Sequence, residues 1–327
     1  MKELNILFTA AGRRVSLLRS FRSAMNDLGI EGKIYAADAG LSAPASFVAD
    51  EKVLLPRVDS AEYIPLLKSI CKEHKIGLMI SLIDTDLTLL SQYKDEFAVE
   101  GVKVLVCDES TNKICFDKLS SYDFYVANNI STPEVLKDSA VKMLTEGDLP
   151  IMIKPWDGSC SVGVNVINTL DELSFYKKNT HHPMVQRLIK GDEYTCDTYV
   201  DFNGKVRCVV PRKRLETRAG EVSKGLTVND PVIIEAVIDC VNKLPHAIGC
   251  MTVQCFKQSD GDVSFIEINP RFGGGHPLSI HAGANFPKWI LQEVTTGSCD
   301  ASFDSWQDDL AMLRFDEEII VPGSAIR

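Results

Sequence analysis

Gln254, Glu267 and Asn269 carry oxygen donors at positions that can share one strand face, and Arg271 follows them. Asp260-Gly261 lies between, and Asp-Gly favours the two-residue hairpin turn whose central residues both take positive φ. A turn there places Gln254 opposite Glu267 and Thr252 opposite Asn269. Alternate strand residues point the same way, so Gln254, Glu267 and Asn269 project together while Val253, Ile266 and Ile268 face a core. One carboxylate with two amide oxygens suits a hard cation such as Mg²⁺, and Arg271 is then placed to meet an anion held by that metal. Taken alone, the pattern equally describes a hairpin with one solvated and one buried face.

A second group of candidates lies upstream. Leu149-Pro-Ile-Met-Ile-Lys154 reads as a strand ending in a lysine, followed by a loop from Trp156 to Gly163 rich in small residues. Gly158, Ser159, Ser161 and Gly163 can expose several backbone N–H groups to one phosphate, with Lys154 supplying charge. The loop is not a Walker A loop, because Gly163 precedes Val-Asn instead of Lys-Ser/Thr. An ordinary flexible hairpin tip is the alternative. The apolar stretch from Met184 to Ile189 then runs through Gly191 to Glu193. An extended linker of that kind offers backbone N–H and C=O groups to an adenine edge, and Glu193 can accept from ribose hydroxyls; a plain strand–turn–strand connection is the alternative. Arg212, Lys213, Arg214, Arg218 and Lys224 place five basic residues within thirteen positions, a cluster suited to an acidic substrate or to nucleotide phosphates.

The elements that must position these residues fall into two regimes. Residues 5–110 alternate strand and helix, with strands beginning at Asn5, Lys33, Glu51, Gly77 and Val102. This predicts a parallel sheet covered by helices on both faces. The first βα turn, Thr9-Ala-Ala-Gly12-Arg13-Arg14, has one glycine where the dinucleotide fingerprint has three, so nicotinamide binding ranks low although Asp38 follows the second strand. Gly12, Arg13 and Arg14 nevertheless sit where a helix begins, a position that attracts anions. Asp86 reads as a helix cap; Asp84 has no assigned role. From residue 110 the pattern becomes a long helix from Ser110 to Asn128, then mostly strands and hairpins, with an amphipathic helix from Asn229 to Leu244 capped by Asn229.

Composition limits the partners. The chain has 327 residues, is 45% hydrophobic and 24% charged, and carries a net charge of −10. A general nucleic-acid binder would be basic, and no apolar run reaches membrane-spanning length. The N-terminus lacks a signal-peptide layout, so a cytoplasmic protein is expected. The ten cysteines include no Cys-x-x-Cys pair and read as reduced, mostly buried thiols.

Taken in order, Lys118, Lys154-Pro, the Gly/Ser loop, Gln186 to Glu193, Gln254 and Glu267-Ile-Asn269-Pro-Arg271 resemble the ATP-grasp superfamily. The likeness is to one synthetase half of the carbamoyl phosphate synthase large subunit and to related stand-alone carboxylate–amine ligases. It covers nearly the whole chain. It implies an α/β and α+β architecture: a Rossmann-like N-terminal domain (1–112), a small lobe with the phosphate loop (113–182) and a large lobe with the Mg²⁺ site (183–327). By position, Lys118 and Lys154 would contact ATP phosphates, and the loop with Ser159, Ser161 and Gly163 would close over them. Gln186 and Leu188 would hold adenine, and Glu193 the ribose. Gln254, Glu267 and Asn269 would bind Mg²⁺, as one ion or two. Arg271 would stabilise the transferring phosphoryl group. The implied reaction makes an acyl phosphate from a carboxylate and joins it to an amine. Lys213, Arg214, Arg218 and Lys224 are the substrate candidates. Such ligases commonly dimerise, so a homodimer is an implied assembly. Two departures count against bicarbonate and carbamate as substrates: the chain has one synthetase half, and Phe-Gly-Gly-Gly-His follows Arg271 in place of a serine-rich stretch. A carbamoyl phosphate synthase-like subunit and a non-catalytic ATP-binding protein are the competing expectations.

Overall fold

The computed structural model describes residues 2–158, 162–218 and 220–327. Asn5–Thr9 is the central strand of a parallel five-stranded sheet. Ile34–Asp38 and then Glu51–Leu54 lie to one side of it, Ile76–Ser81 and then Lys103–Leu105 to the other. The side chains of the central strand alternate. Ile6 and Phe8 pack with Leu17, Leu18 and Phe21 of helix Val15–Asp27. Leu7 packs on the opposite face with Leu67 and Leu87, from helices Tyr63–Glu73 and Asp84–Val99. Because the strand order reverses beside Asn5–Thr9, the crevice at its carboxyl end and that of Ile76–Ser81 is the place where such sheets hold ligands. Arg14 and Asp84 follow those two ends.

Asp86 does not cap its helix. It is buried within the first turn and accepts hydrogen bonds from Thr9 Oγ1 and Tyr63 Oη, each at 2.9 Å, and from Ser81 Oγ at 3.2 Å. Burial nevertheless holds its carboxyl above the ordinary value. The long helix expected from Ser110 to Asn128 is two helices, Glu109–Phe116 and Lys118–Ala127. Asp117 separates them by adopting an extended backbone and accepting Ser120 N–H at 2.8 Å, an N-cap in mid-run. Asp230, not Asn229, caps helix Pro231–Asn242, accepting from Val232 N–H and Ile233 N–H.

The three-stranded antiparallel sheet orders Pro183–Arg187, Ile151–Pro155 and Asn165–Ile167 around a core of its own that includes Ile151, Ile153, Ile167 and Val185. It takes in Pro183–Arg187, beyond the boundary at 182 drawn from the sequence. Helix Lys118–Ala127, assigned there to the small lobe, packs instead on the larger sheet through Phe124 and Tyr125. That sheet has six antiparallel strands in the order Val263–Asn269, Gly249–Lys257, Asp192–Val200, Val206–Arg218, Glu221–Thr227 and Ala311–Leu313. One face buries Val253, Ile268 and Met251 against helix Pro231–Asn242, each full burial contributing about 1.5–3 kcal/mol. The other face meets the N-terminal domain: Phe21 stands edge-on to Phe272, with ring centroids 5.8 Å apart.

The hairpin between Gly249–Lys257 and Val263–Asn269 keeps the expected pairs by an unexpected route. Gln254 pairs with Glu267 and Thr252 with Asn269. The connection, however, spans three residues, Ser259 to Gly261, closed by Gln258 N–H to Asp262 O at 2.9 Å. Gly261 alone takes positive φ there, +95°. This longer loop shifts the register by one near the turn, pairing Cys255 with Phe265. A bulge at Ile266 then restores the expected pairing. Ile266 consequently lines the cleft instead of facing the core.

Among the described residues no helix is long and apolar enough to cross a membrane. Cys71, Cys107, Cys196, Cys208, Cys240, Cys250 and Cys255 are buried free thiols.

Candidate active site

A single cleft of about 1550 Å³ runs between the two sheets of the C-terminal region and on to the crevice of the parallel sheet. One wall is the bulged hairpin, with Thr252, Gln254, Glu267 and Asn269 all lining the space. Gln254 makes no side-chain hydrogen bond with any described residue, while Asn269 Oδ1 accepts from Arg271 Nη2 at 3.1 Å. Lys118, placed at the start of its helix by Asp117, reaches across to within 3.9 Å of Glu267 Oε1 and donates to Gly158 O.

Lys154 ends strand Ile151–Pro155, and the strand's pairing with Pro183–Arg187 turns it into the cleft. It is 6% exposed yet forms neither hydrogen bond nor ion pair with any described residue. Burial, and then the nearby Lys118, push its ammonium down to about 8. A desolvated cation without a partner is costly in the free protein and suits a polyanion. The loop that follows is tied down at its stem: Trp156 N–H donates to His182 O, Lys118 N–H to Trp156 O, and the rings of Trp156 and His182 stack 5.0 Å apart. Gly158 and Gly163 both close on Pro155, where a Cβ would come to 3.0 Å. Ser159 and Ser161 lie outside the described residues.

The linker between the lobes follows Pro183–Arg187. Gln186 lines the cleft, its Nε2 donating to Pro133 O at 2.9 Å and its backbone paired with Met152 in the small sheet, so the free backbone of the linker begins beyond it. Ile189 lines the cleft and Leu188 does not. Glu193 lines it too, 3.1 Å from Arg214 Nε; burial raises its carboxyl although Arg214 opposes the shift.

Arg271 is fixed more firmly than its sequence context indicates. Its Nε and Nη2 donate to both oxygens of Asp84, at 2.9 and 2.7 Å, and its Nη1 donates to Phe272 O. Burial alone would lower its pKa, but Asp84 outweighs that and holds it above the ordinary value. Asp84 was the one acidic residue at the sheet's carboxyl edge without a role, and that position was its signal. Asp38, by contrast, does not line the cleft and accepts from the backbone N–H groups of Gly12 and Gly40, each at 2.9 Å.

The basic cluster of the sequence divides. Strand Val206–Arg218 sends Arg212 and Arg214 into the cleft and Lys213 to the opposite face, where it pairs with Asp192 at 2.6 Å. Lys213, Arg218 and Lys224 do not line the cleft: Arg218 pairs with Asp316 at 3.0 Å and Lys224 with Glu216 at 2.7 Å. Strand alternation and exposed partners explain both results. Arg212, 1% exposed, makes a bidentate pair with Asp197, which also accepts from Ser279 Oγ at 2.6 Å and lies 3.2 Å from His276 Nδ1. Burial would raise the Asp197 carboxyl, but Arg212 and His276 hold it below the usual carboxylate range. Arg14 also enters the cleft, from the first βα turn, whereas Arg13 is solvated. Asp197 and Arg314, the latter also lining the cleft, had no local sequence pattern to mark them, whereas His276 closes the Phe-Gly-Gly-Gly-His stretch that follows Arg271.

Two family models match separate parts of the chain. One, described as the N-terminal domain of PylC-like proteins, covers residues 6–105. The other, described as an ATP-grasp in the biosynthetic pathway with Ter operon, covers residues 179–316. Residues 179–316 are thus matched as an ATP-grasp domain. The chain is 24% identical over 201 residues to a D-alanine–D-alanine ligase of Bacillus anthracis, a match covering 56% of this chain and 64% of that one. It is 22% identical over 174 residues to a carbamoyl-phosphate synthase of Methanobrevibacter smithii, covering 51% and 46%. The match thus spans less than two thirds of the length of these curated relatives. Among solved structures, the biotin carboxylase domain of Hydrogenobacter thermophilus 2-oxoglutarate carboxylase, determined with MgADP and bicarbonate, superposes with a TM-score of 0.74 at 16% identity, over 94% of this chain and 73% of that one. An L-amino acid ligase from Bacillus licheniformis gives 0.68 at 17% identity, over 90% and 75%. These structural likenesses establish the fold.

Proposed function

We propose that this chain is an ATP-grasp, ADP-forming ligase that activates a carboxylate with ATP and joins it to an amine. The observation that carries the reading is Lys154, buried and without a hydrogen bond or ion pair to any described residue, in the same cleft as Gln254, Glu267, Asn269 and Arg271. Lys154 and Lys118 would neutralise the nucleotide's phosphates. Gly163 belongs to the loop that would cover them, and Ser159 and Ser161 are assigned to it from sequence alone. The linker from Gln186 through Leu188 to Ile189 would meet adenine, with Ile189 on the wall and the backbone beyond the strand, at Leu188 and Ile189, facing the base. Glu193 would meet the ribose. Gln254, Glu267 and Asn269 are a carboxylate and two amides on one strand face, a donor set that fits Mg²⁺; when bound, the metal supplies charge neutralisation at the phosphates.

The chain's own residues then account for the two steps. An oxygen of the substrate carboxylate attacks the γ-phosphorus, the bond to the β–γ bridging oxygen breaks, and ADP leaves. Arg271, aligned by Asp84, offsets the negative charge on the phosphoryl group in flight. The amine then attacks the acyl carbon, inorganic phosphate leaves, and the nitrogen releases a proton. The loop over the site excludes water from the acyl phosphate.

The reading is tested by measuring ADP and phosphate release across pairs of carboxylates and amines, preceded by thermal shift with MgATP. MgATP should raise the melting temperature, and ADP release should require both substrates of the correct pair. No stabilisation by MgATP would sink the proposal. Lys154→Ala and Glu267→Gln should each lower turnover by about 100-fold or more, as expected for charge stabilisation lost from a preorganised site.

A further inference from the structure

Beyond Arg271 the cleft continues into a second basic compartment for which ATP has no use. Segments far apart in sequence build it: Arg14 after the first strand, Glu221 and Val222 at the start of Glu221–Thr227, Gly273 to Gly275, and Arg314 after the last strand. Its arginines have few carboxylates in close contact. Asp84 is taken by Arg271, and Asp197 by Arg212, Ser279 and His276. Glu221 is shared by three arginines, Arg14 at 3.6 Å, Arg314 at 3.2 Å and the solvated Arg13 at 4.0 Å, while Asp316 and Glu317, which line the cleft after Arg314 together with Glu318, pair with Arg218 and Arg19 instead.

Arg14 is the least satisfied of these arginines. Its side chain is 21% exposed and donates no hydrogen bond to any described residue. Five N–H donors are therefore largely unspent on a mostly desolvated guanidinium. Arg212 is similar: its Nη1 is buried, has no hydrogen-bond partner among the described residues, and the residue borders the same cleft. The glycine run leaves both guanidinium groups thinly covered. A Cβ on Gly274 would come to 2.7 Å from Arg14 Nη1, and one on Gly275 would clash with Arg212 Nη1.

We infer that this compartment binds a second anionic group on the acid substrate, so that the preferred acid is a dianion: one carboxylate at Arg271 to be activated, and a second oxyanion held by Arg14 with Arg314. The inference rests on the proposed reading of Arg271 as the residue at the reacting carboxylate. The second oxyanion is a carboxylate or a phosphate, since a guanidinium fork matches either.

The test uses the full chain with MgADP bound and measures dissociation constants for acetate and butyrate, for malonate, succinate and glutarate, and for phosphoglycolate. At least one dianion should bind ten-fold or more tighter than the monocarboxylates. A dicarboxylate or phosphoglycolate in that place identifies which oxyanion is taken. Arg14→Gln should weaken that dianion at least ten-fold, leave the monocarboxylates unchanged and preserve MgADP affinity; Arg14→Lys should recover part of the loss. Arg314→Gln should weaken the same dianion. Equal binding of mono- and dianions, or full dianion affinity in Arg14→Gln, overturns the inference. Failure of MgADP and MgATP to bind the wild-type chain would instead remove the ligase reading, and the acid titrations still report on Arg14 without nucleotide.

Discussion

Lys154 is the residue whose titration should report nucleotide binding. Burial and Lys118 place its ammonium at about 8, against 10.5 for the free side chain. Between those values the unfolded chain holds more protons than the folded one, so this group makes the nucleotide-free protein more stable as pH rises through that window. The contribution is present above 10.5 and lost as pH falls through 8. A bound polyphosphate reverses the balance by favouring the ammonium. MgATP binding near pH 8.5 should therefore take up protons, and its affinity should fall as pH rises past 8. Calorimetry in buffers of different ionisation enthalpy measures the uptake, and Lys154→Met should abolish it. Uptake unchanged in that variant would place the proton elsewhere.

At the scale of elements, the bulged hairpin and the glycine run that follows it set the geometry of the wall. The bulge at Ile266 compensates the three-residue loop, so that Gln254 and Glu267 still face each other. The Gly273 to Gly275 segment packs where side chains cannot fit. A Cβ at Gly275 would overlap Val222 Cγ1 and Arg212 Nη1. Gly275→Ala should cost about 1–3 kcal/mol, the usual range for overpacking, read from the midpoint of urea unfolding. An unshifted midpoint would mean that Arg212 can move aside and is not held by Asp197.

At the scale of the whole molecule, the N-terminal domain and the large sheet share a core. Phe8, Phe21, Tyr199, Phe272 and Phe286 belong to one continuous buried cluster, and the Arg271–Asp84 pair crosses the same boundary at the cleft. The small sheet has a separate core. Phe272→Ala should therefore cost about 3–5 kcal/mol and shift the unfolding of both regions together. Hydrogen exchange would show the effect in strand Asn5–Thr9 as well as in Gly249–Lys257, with strand Ile151–Pro155 least affected. Loss of protection confined to one region would show that the two fold as separate units.

Local chemistry determined much of this protein without any tertiary information. Alternating βα periods gave the parallel sheet, because apolar spacing is a property of each element alone. The pairing of Gln254 with Glu267 was legible too, although the turn length and the straight strand assumed for it were both incorrect and cancelled. Only the tertiary structure decided the rest. Asp117 ends one helix and starts another, which depends on a hydrogen bond competing with helix continuation. Asp84 reaches Arg271 across 187 positions, and Arg14, Arg212 and Arg314 converge on one compartment from three segments. Lys213, Arg218 and Lys224, grouped with Arg212 by sequence, are held away from it by strand alternation and by their own acidic partners. A residue's neighbours along the chain fix its conformation, whereas its charge acts on whatever packing brings within a few ångströms. Oxygen donors on one hairpin could therefore be read in advance, and an anion pocket assembled from separate domains could not.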